Sequence, residues 1–141
     1  MLKIGSIFIP VTNLEKSEQW YERILGVKKI DSWGEGTGFY LPLGSTQLAL
    51  IQVESLQPAH FHINKNEINS YYNFMVDDIE STQQHFRDND VKTTEIEDFN
   101  GMKFFDFYDL DGNSFSVVSE VEDSPYHSDQ VRRMQERNRA L

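Results

Sequence analysis

A few residue groups in this chain are of types that carry chemistry. His60-Phe61-His62 sets two imidazoles at positions i and i+2. On a strand two such side chains share one face and can bind a metal together. No third donor stands nearby in the sequence, and Pro58-Ala59 marks a connector, which favours two loop histidines. His85 falls on a solvated helix face and His127 in a C-terminal tail. Asp106, Asp109 and Asp111 crowd one stretch, but no Glu follows to close a calcium loop. Asp109-Leu110-Asp111-Gly112-Asn113 is more simply a turn whose side chains cap its own backbone. Trp33-Gly34-Glu35-Gly36-Thr37-Gly38 is glycine-rich, lacks the Lys-Ser/Thr ending of a phosphate loop and leads into a strand. It reads as a flexible hairpin beside an exposed aromatic. There is no Gly-x-Ser-x-Gly elbow and no His placed to make a triad. With no cysteine, disulfides, thiolate metal sites and Cys nucleophiles are all excluded.

The elements that must position these groups repeat. Val11 to Tyr21 matches Val76 to Phe86 at a constant offset of 65: Val11 meets Val76, Asn13 meets Asp78, Leu14 meets Ile79, Glu15 meets Glu80 and Gln19 meets Gln84. Both segments read as strand, turn, helix, with Asn13 and Asp78 as N-caps. Apolar Leu14, Trp20, Tyr21, Ile24 and Leu25 follow at helical spacing, and Ile79, Thr82 and Phe86 do so in the second copy. Ile4–Ile9 and Asn69–Phe74 are the strands that precede the helices. Three further strands follow in each half, over 27–33, 38–43 and 47–53, then 92–96, 102–108 and 114–119. Each half is therefore β-α-β-β-β, and the fold class is α+β. We expect one domain over 1–121, with module one at 1–55, a connector at 56–68, module two at 69–121 and a tail with a helix at 122–141.

Composition narrows the classes of function. A chain of 141 residues with 38% hydrophobic and 13% aromatic side chains folds as a globule and buries a core. Its net charge of -10 disfavours nucleic acid, which needs a basic face, and permits a cationic ligand. No apolar run approaches the roughly 20 residues of a membrane span, and the first residues lack a secretory leader's apolar stretch. The expectation is a cytoplasmic domain with no nucleic-acid or membrane partner. Residues 1–123 hold 9 basic and 21 acidic side chains, whereas 124–141 hold Arg132, Arg133, Arg137 and Arg139 against Asp129 and Glu136. Val131, Met134, Asn138 and Leu141 recur at helical spacing there. The tail is either a frayed solvated end or a helix docking on the acidic body or a second subunit.

Val11 to Ser17 through Leu25-Gly26-Val27, Val76-Asp77-Asp78-Ile79, and Phe107-Tyr108-Asp109-Leu110-Asp111-Gly112-Asn113 together resemble the vicinal oxygen chelate superfamily. That superfamily holds glyoxalase I, extradiol dioxygenases, and fosfomycin and bleomycin resistance proteins. The resemblance covers residues 3–121, with Leu110 standing where members usually have Pro. It implies two βαβββ modules whose strands form a curved mixed sheet around a cleft. In the enzymes, four cleft-facing side chains, typically His, Gln or Glu, bind a divalent metal. Carried over position by position, those ligands fall on Ser6, Ala49, Tyr71 and Ser116. Neutral hydroxyls and a methyl group do not hold a catalytic divalent ion. Neither Leu48 nor Leu50 can ligate, and Gln52 would serve only after a register shift. The resemblance therefore implies no metal and no cofactor at the family site.

Strand parity places Ser6, Phe8, Ala49, Ile51, Tyr71, Asn73, Met75, Ser116 and Val118 on the cleft side. Ile7, Ile9, Tyr72, Phe74, Phe115 and Val117 then pack beneath the helices. Such a cleft suits a planar or aromatic small molecule, neutral or cationic, held by stacking and a few hydrogen bonds, unless Tyr71 and Phe8 plug it. Two functions follow. One is a metal-free small-molecule binder and homodimer, as the bleomycin resistance proteins are. The other is a lyase, isomerase or dioxygenase-type enzyme on the same fold, with Tyr71 as acid/base or a displaced metal site. The four positions predict that no divalent ion binds among Ser6, Ala49, Tyr71 and Ser116. Calorimetric titration with zinc, nickel and manganese tests this, and tight one-to-one binding abolished by replacing Tyr71 would contradict it.

Overall fold

The computed structural model describes residues 1–139. Asn13 opens α1 (Leu14–Leu25) by accepting the Lys16 backbone N–H at 3.1 Å, and Asp78 opens α2 (Ile79–Asp88) by accepting that of Ser81 at 3.0 Å. Each cap satisfies a donor that has no partner within its helix. Gly26 ends α1 with φ of 69°, a left-handed conformation that costs a residue without Cβ little. The buried side of α1 is Ser17, Trp20, Tyr21 and Ile24, and that of α2 is Ile79, Gln83 and Phe86, both at helical spacing.

Around α1 stand β1 (Ser6–Val11), β2 (Lys28–Trp33), β3 (Gly36–Tyr40) and β4 (Gln47–Gln52), in the sheet order β1-β4-β3-β2. After a hairpin of β5 (His60–Asn64) and β6 (Glu67–Ser70), the pattern repeats. β7 (Asn73–Val76), β8 (Glu97–Phe99), β9 (Met102–Tyr108) and β10 (Ser114–Ser119) take the order β7-β10-β9-β8. In each sheet the first and last strands pair in parallel, and the β2–β3, β3–β4 and β8–β9 pairs are antiparallel. A third helix, α3 (Ser128–Arg139), closes the described chain with no buried residue. Leu141, the end of its expected apolar stripe, lies outside the described residues. Among the described residues no helix is long and apolar enough to cross a membrane.

Two compact units contain these elements. One comprises 1–71 with 108–114, the other 72–107 with 115 onward. In the first, Ile9, Val11, Tyr21, Val27, Phe39, Leu48 and Leu50 are almost fully buried. In the second the core is aromatic: Phe86 lies tilted at 52° against Phe107 with ring centres 4.5 Å apart, and Phe107 stacks on Phe115 at 5.4 Å.

In the segment expected as a connector, 56–68, β5 and β6 pair around Asn64, whose side chain accepts the Asn66 and Glu67 N–H groups. Two expectations about strands need correction. The strand expected over 69–74 does not form as one piece, since Ser70 ends β6 and β7 begins at Asn73. The strand expected over 92–96 is reduced to a single bridge, Thr93 to Phe107. The Thr94 hydroxyl takes the Asp106 N–H at 2.8 Å, so a side chain replaces a backbone partner and the ladder restarts at Glu97.

The turn 108–114 lies between two strands of the second sheet but belongs to the first unit. Asp109 Oδ1 accepts the backbone N–H groups of Asp111 and Asn113, each at 2.9 Å, which is the self-capping expected of this turn. Its other oxygen accepts the Tyr21 hydroxyl at 2.5 Å and the Asn113 amide at 2.8 Å. The buried Asn113 amide also donates to Pro10 O and accepts from Ala59 N. Asp111 accepts from the Thr12 N–H and hydroxyl. Burial pushes the Asp109 carboxyl above its usual range against the pull of these bonds, and burial beside Asp109 pushes the Tyr21 hydroxyl well up, so it remains a donor. Tyr21→Phe removes one donor from a buried carboxylate and should cost about 1–3 kcal/mol in urea unfolding, with an unchanged midpoint counting against this role.

Candidate functional site on the open faces of two sheets

The first sheet has one covered and one open face. Leu48 and Leu50 of β4, Thr37 and Phe39 of β3, and Ile9 and Val11 of β1 are buried on the covered side. The alternate residues line the other side. Register there aligns Phe8, Ala49, Gly38 and Asp31 in one row, and Pro10, Ile51, Gly36 and Trp33 in the next. A Cβ at Gly36 would lie 2.4 Å from the Trp33 ring and one at Gly38 3.7 Å from it. The indole therefore lies against the sheet in space that only glycine leaves free. Trp33 nonetheless remains 50% exposed, Phe8 59% and Tyr40 50%. This face is a broad aromatic surface on a glycine floor, with the exposed Asp31 carboxylate in register with Gly38.

On the second sheet Phe105, Phe107, Phe115 and Val117 are buried, which leaves Asn73, Met75, Asp106, Ser116 and Val118 to the opposite face. Asn73 pairs with Ser116 and Met75 with Val118. The Ser116 hydroxyl donates to Asp106 Oδ1 at 2.6 Å. A carboxylate thus stands beside the position carried over from the family's last strand.

The residues expected at the site divide between the units. Ser6, Phe8, Ala49, Ile51 and Tyr71 lie in the first, and Asn73, Met75 and Ser116 in the second. With the offset of 65 making Phe8 equivalent to Asn73, their partners Ala49 and Ser116 are equivalent positions. Tyr71 stands in the bend ahead of β7, 59% exposed, with its ring 5.1 Å from that of Phe61. Gln52 is taken up by the start of α1, accepting the Leu14 N–H at 2.8 Å and donating to Thr12 O at 2.7 Å. Ser6, Ala49, Tyr71 and Ser116 offer no imidazole or carboxylate, and among the described residues no group of three or more His, Asp or Glu is arranged to hold a metal. The donor chemistry does not fit the family's metal.

Sequence reasoning missed Trp33, Tyr40 and Asp106 as site residues. Trp33 was legible only as an exposed aromatic beside glycines, because its seat depends on the β2–β3 register. Asp106 was grouped with the turn aspartates, although it alternates with the buried Phe105 and Phe107.

Comparison with known proteins gives one family. Residues 3–117 match the model of the Glyoxalase/Bleomycin resistance protein/Dioxygenase superfamily. The chain is similar to the fosfomycin resistance protein FosX of Listeria monocytogenes, with TM-score 0.70, 15% identity, and 87% of this chain and 97% of that one covered. A superfamily member from Sphaerobacter thermophilus has TM-score 0.70 at 23% identity over 85% and 98%. The lactoylglutathione lyase of Agrobacterium tumefaciens has TM-score 0.63 at 18% identity over 83% and 92%. At these identities the likeness is one of fold. No curated protein matches the chain.

The glycine floor is open to test. Gly36→Val should force the Trp33 indole off the sheet, since the new Cβ would lie only 2.4 Å from the ring. With Trp20 buried and Trp33 half-exposed, the variant's tryptophan emission should shift to the red and its acrylamide quenching should rise. Unchanged emission would mean that the indole does not rest there.

Proposed function

Because the chain belongs to the glyoxalase/bleomycin resistance protein/dioxygenase superfamily, we propose that it binds a small planar organic molecule, neutral or cationic, and does so without a metal at the family's positions. The observation that carries this reading is the Trp33 indole lying over Gly36 and Gly38 with half of its surface left to solvent, on the sheet that also exposes Phe8 and Tyr40. An aromatic surface of this kind gains free energy when a flat ligand covers it, through apolar burial and offset stacking. On the same face of the first sheet Ser6 supplies a neutral hydrogen-bonding group that orients a ligand. Asp31 adds negative charge on this face, Lys28 is in register with Tyr40 at the end of the same sheet, and no Lys or Arg lies on the rows that hold Phe8 and Trp33. A carboxylate or phosphate there would lose its hydration without gaining a paired charge. The 21 acidic against 9 basic side chains of residues 1–123 favour a cation at longer range as well.

The reading takes the protein as a cytoplasmic homodimer. Pairing of two identical chains is the commonest assembly of soluble proteins. Light scattering that gives the mass of a single chain at micromolar concentration would remove the dimer from it.

A thermal-shift screen across cationic aromatics, neutral aromatics, and phosphorylated or carboxylated metabolites tests the ligand class. Cationic and neutral aromatics should raise the melting temperature, and Trp33→Ala and Phe8→Ala should each weaken the responding ligand about tenfold or more, as loss of a stacking partner worth about 1.4 kcal/mol requires. Stabilisation by the anionic set alone, unchanged in Trp33→Ala and in Tyr71→Ala, would overturn the proposal.

A further inference from the structure

We propose that His60 and His62 on β5 form a bidentate site for a late first-row transition ion, Cu2+, Ni2+ or Zn2+, separate from the open faces and independent of their ligand. The hairpin with β6 makes these two residues strand neighbours at i and i+2. Their side chains therefore project on one side, with Phe61 on the other against Tyr71. The two imidazole centres are 5.8 Å apart with their planes at 76°. An ion about 2.0–2.1 Å from one nitrogen of each ring would hold the ring centres about 5 Å apart at ordinary coordination angles, within a small side-chain rotation of what is seen.

A second observation points to a ligand. His60 Nδ1 is buried and has no hydrogen-bond partner. His60 pairs with Ser70 across the hairpin, yet the Ser70 hydroxyl is engaged with that of Ser114 and the Ala59 N–H with Asn113. The neighbouring polar groups are thus already used. A buried polar atom without a partner is costly in either tautomer, and its lone pair given to a metal ion is satisfied. Exposed His62 supplies the second nitrogen and the side from which an ion enters.

Two imidazoles select the ion. Nitrogen donors suit copper, nickel and zinc, whereas manganese and magnesium prefer oxygen. With no group of three or more His, Asp or Glu at hand among the described residues, water completes the coordination, so the ion is exchangeable and held less tightly than in a four-ligand structural site. The acidic body raises the local cation concentration.

The test is calorimetric titration of the full, tag-free chain with Ni2+ and with Zn2+, and with Mn2+ as the oxygen-preferring control. One ion per chain should bind at neutral pH. His62→Ala should weaken it at least tenfold, whereas His85→Ala and His127→Ala should leave it unchanged. His62 is exposed, so circular dichroism of His62→Ala should match that of the parent, and the response to aromatic ligands should persist. Absence of Ni2+ and Zn2+ binding, or binding that survives His62→Ala, would overturn the proposal.

Discussion

Four hydrogen bonds converge on the Asp109 carboxylate, and much of the first unit is tied to that point. Two come from its own turn, at Asp111 and Asn113, one from the Asn113 side chain and one from Tyr21, 88 positions away in the chain. An ionised carboxylate only accepts, so it can satisfy four donors at once where an amide would oppose at least one of them. Burial works against the charge, and the bonds offset part of that effect. Through Asn113 the same turn reaches the end of β1 at Pro10 and the segment before β5 at Ala59, and through Asp111 it reaches Thr12 at the entry to α1. Leu110, where the resembling proteins usually carry Pro, is 56% exposed. Side-chain bonds define this turn, so a fixed φ at that position is not needed.

The turn also sets where β10 begins. Ser114 is buried and Ser116 lies two residues on, which brings the Ser116 hydroxyl to Asp106 and Val118 to Met75. A slip of one residue would exchange the two faces and put Phe115 and Val117 in water. The covered faces are fixed by large apolar side chains, while the open faces are free to vary. That freedom explains how one topology, present twice in this chain, supports different surfaces. The first sheet presents glycine and aromatic groups and the second presents Asn, Ser and Asp, with no imidazole in either set of metal positions.

Backbone economy links the other features. Gln52, a residue type that can ligate a metal, spends both ends of its amide on the first turn of α1. The Thr94 hydroxyl substitutes for a ladder partner and shortens β8. Asn64 folds the segment between the modules into a hairpin, which turns His60 and His62 from loop residues into strand neighbours. In each case a short polar side chain competes with regular pairing, an effect that average propensities do not resolve.

The repeat, both helix starts, the α+β class and the residues that face the core are legible in the order of residues. These are local properties: Asn13 and Asp78 cap within three residues, and the periods of helix and strand show in short windows. The same parity assigned Phe8 and Met75 to the cleft side and Phe115 and Val117 to positions beneath the helices, and in the structure the first two are exposed and the last two buried. Which distant residues meet follows from packing. Trp33 lies on Gly36 because the β2–β3 register brings them together, Asp106 reaches Ser116 because β9 and β10 are neighbours, and Tyr21 finds Asp109 only when the turn 108–114 packs into the first unit. No periodicity encodes such encounters, because they depend on how separately folded segments bury their apolar faces together.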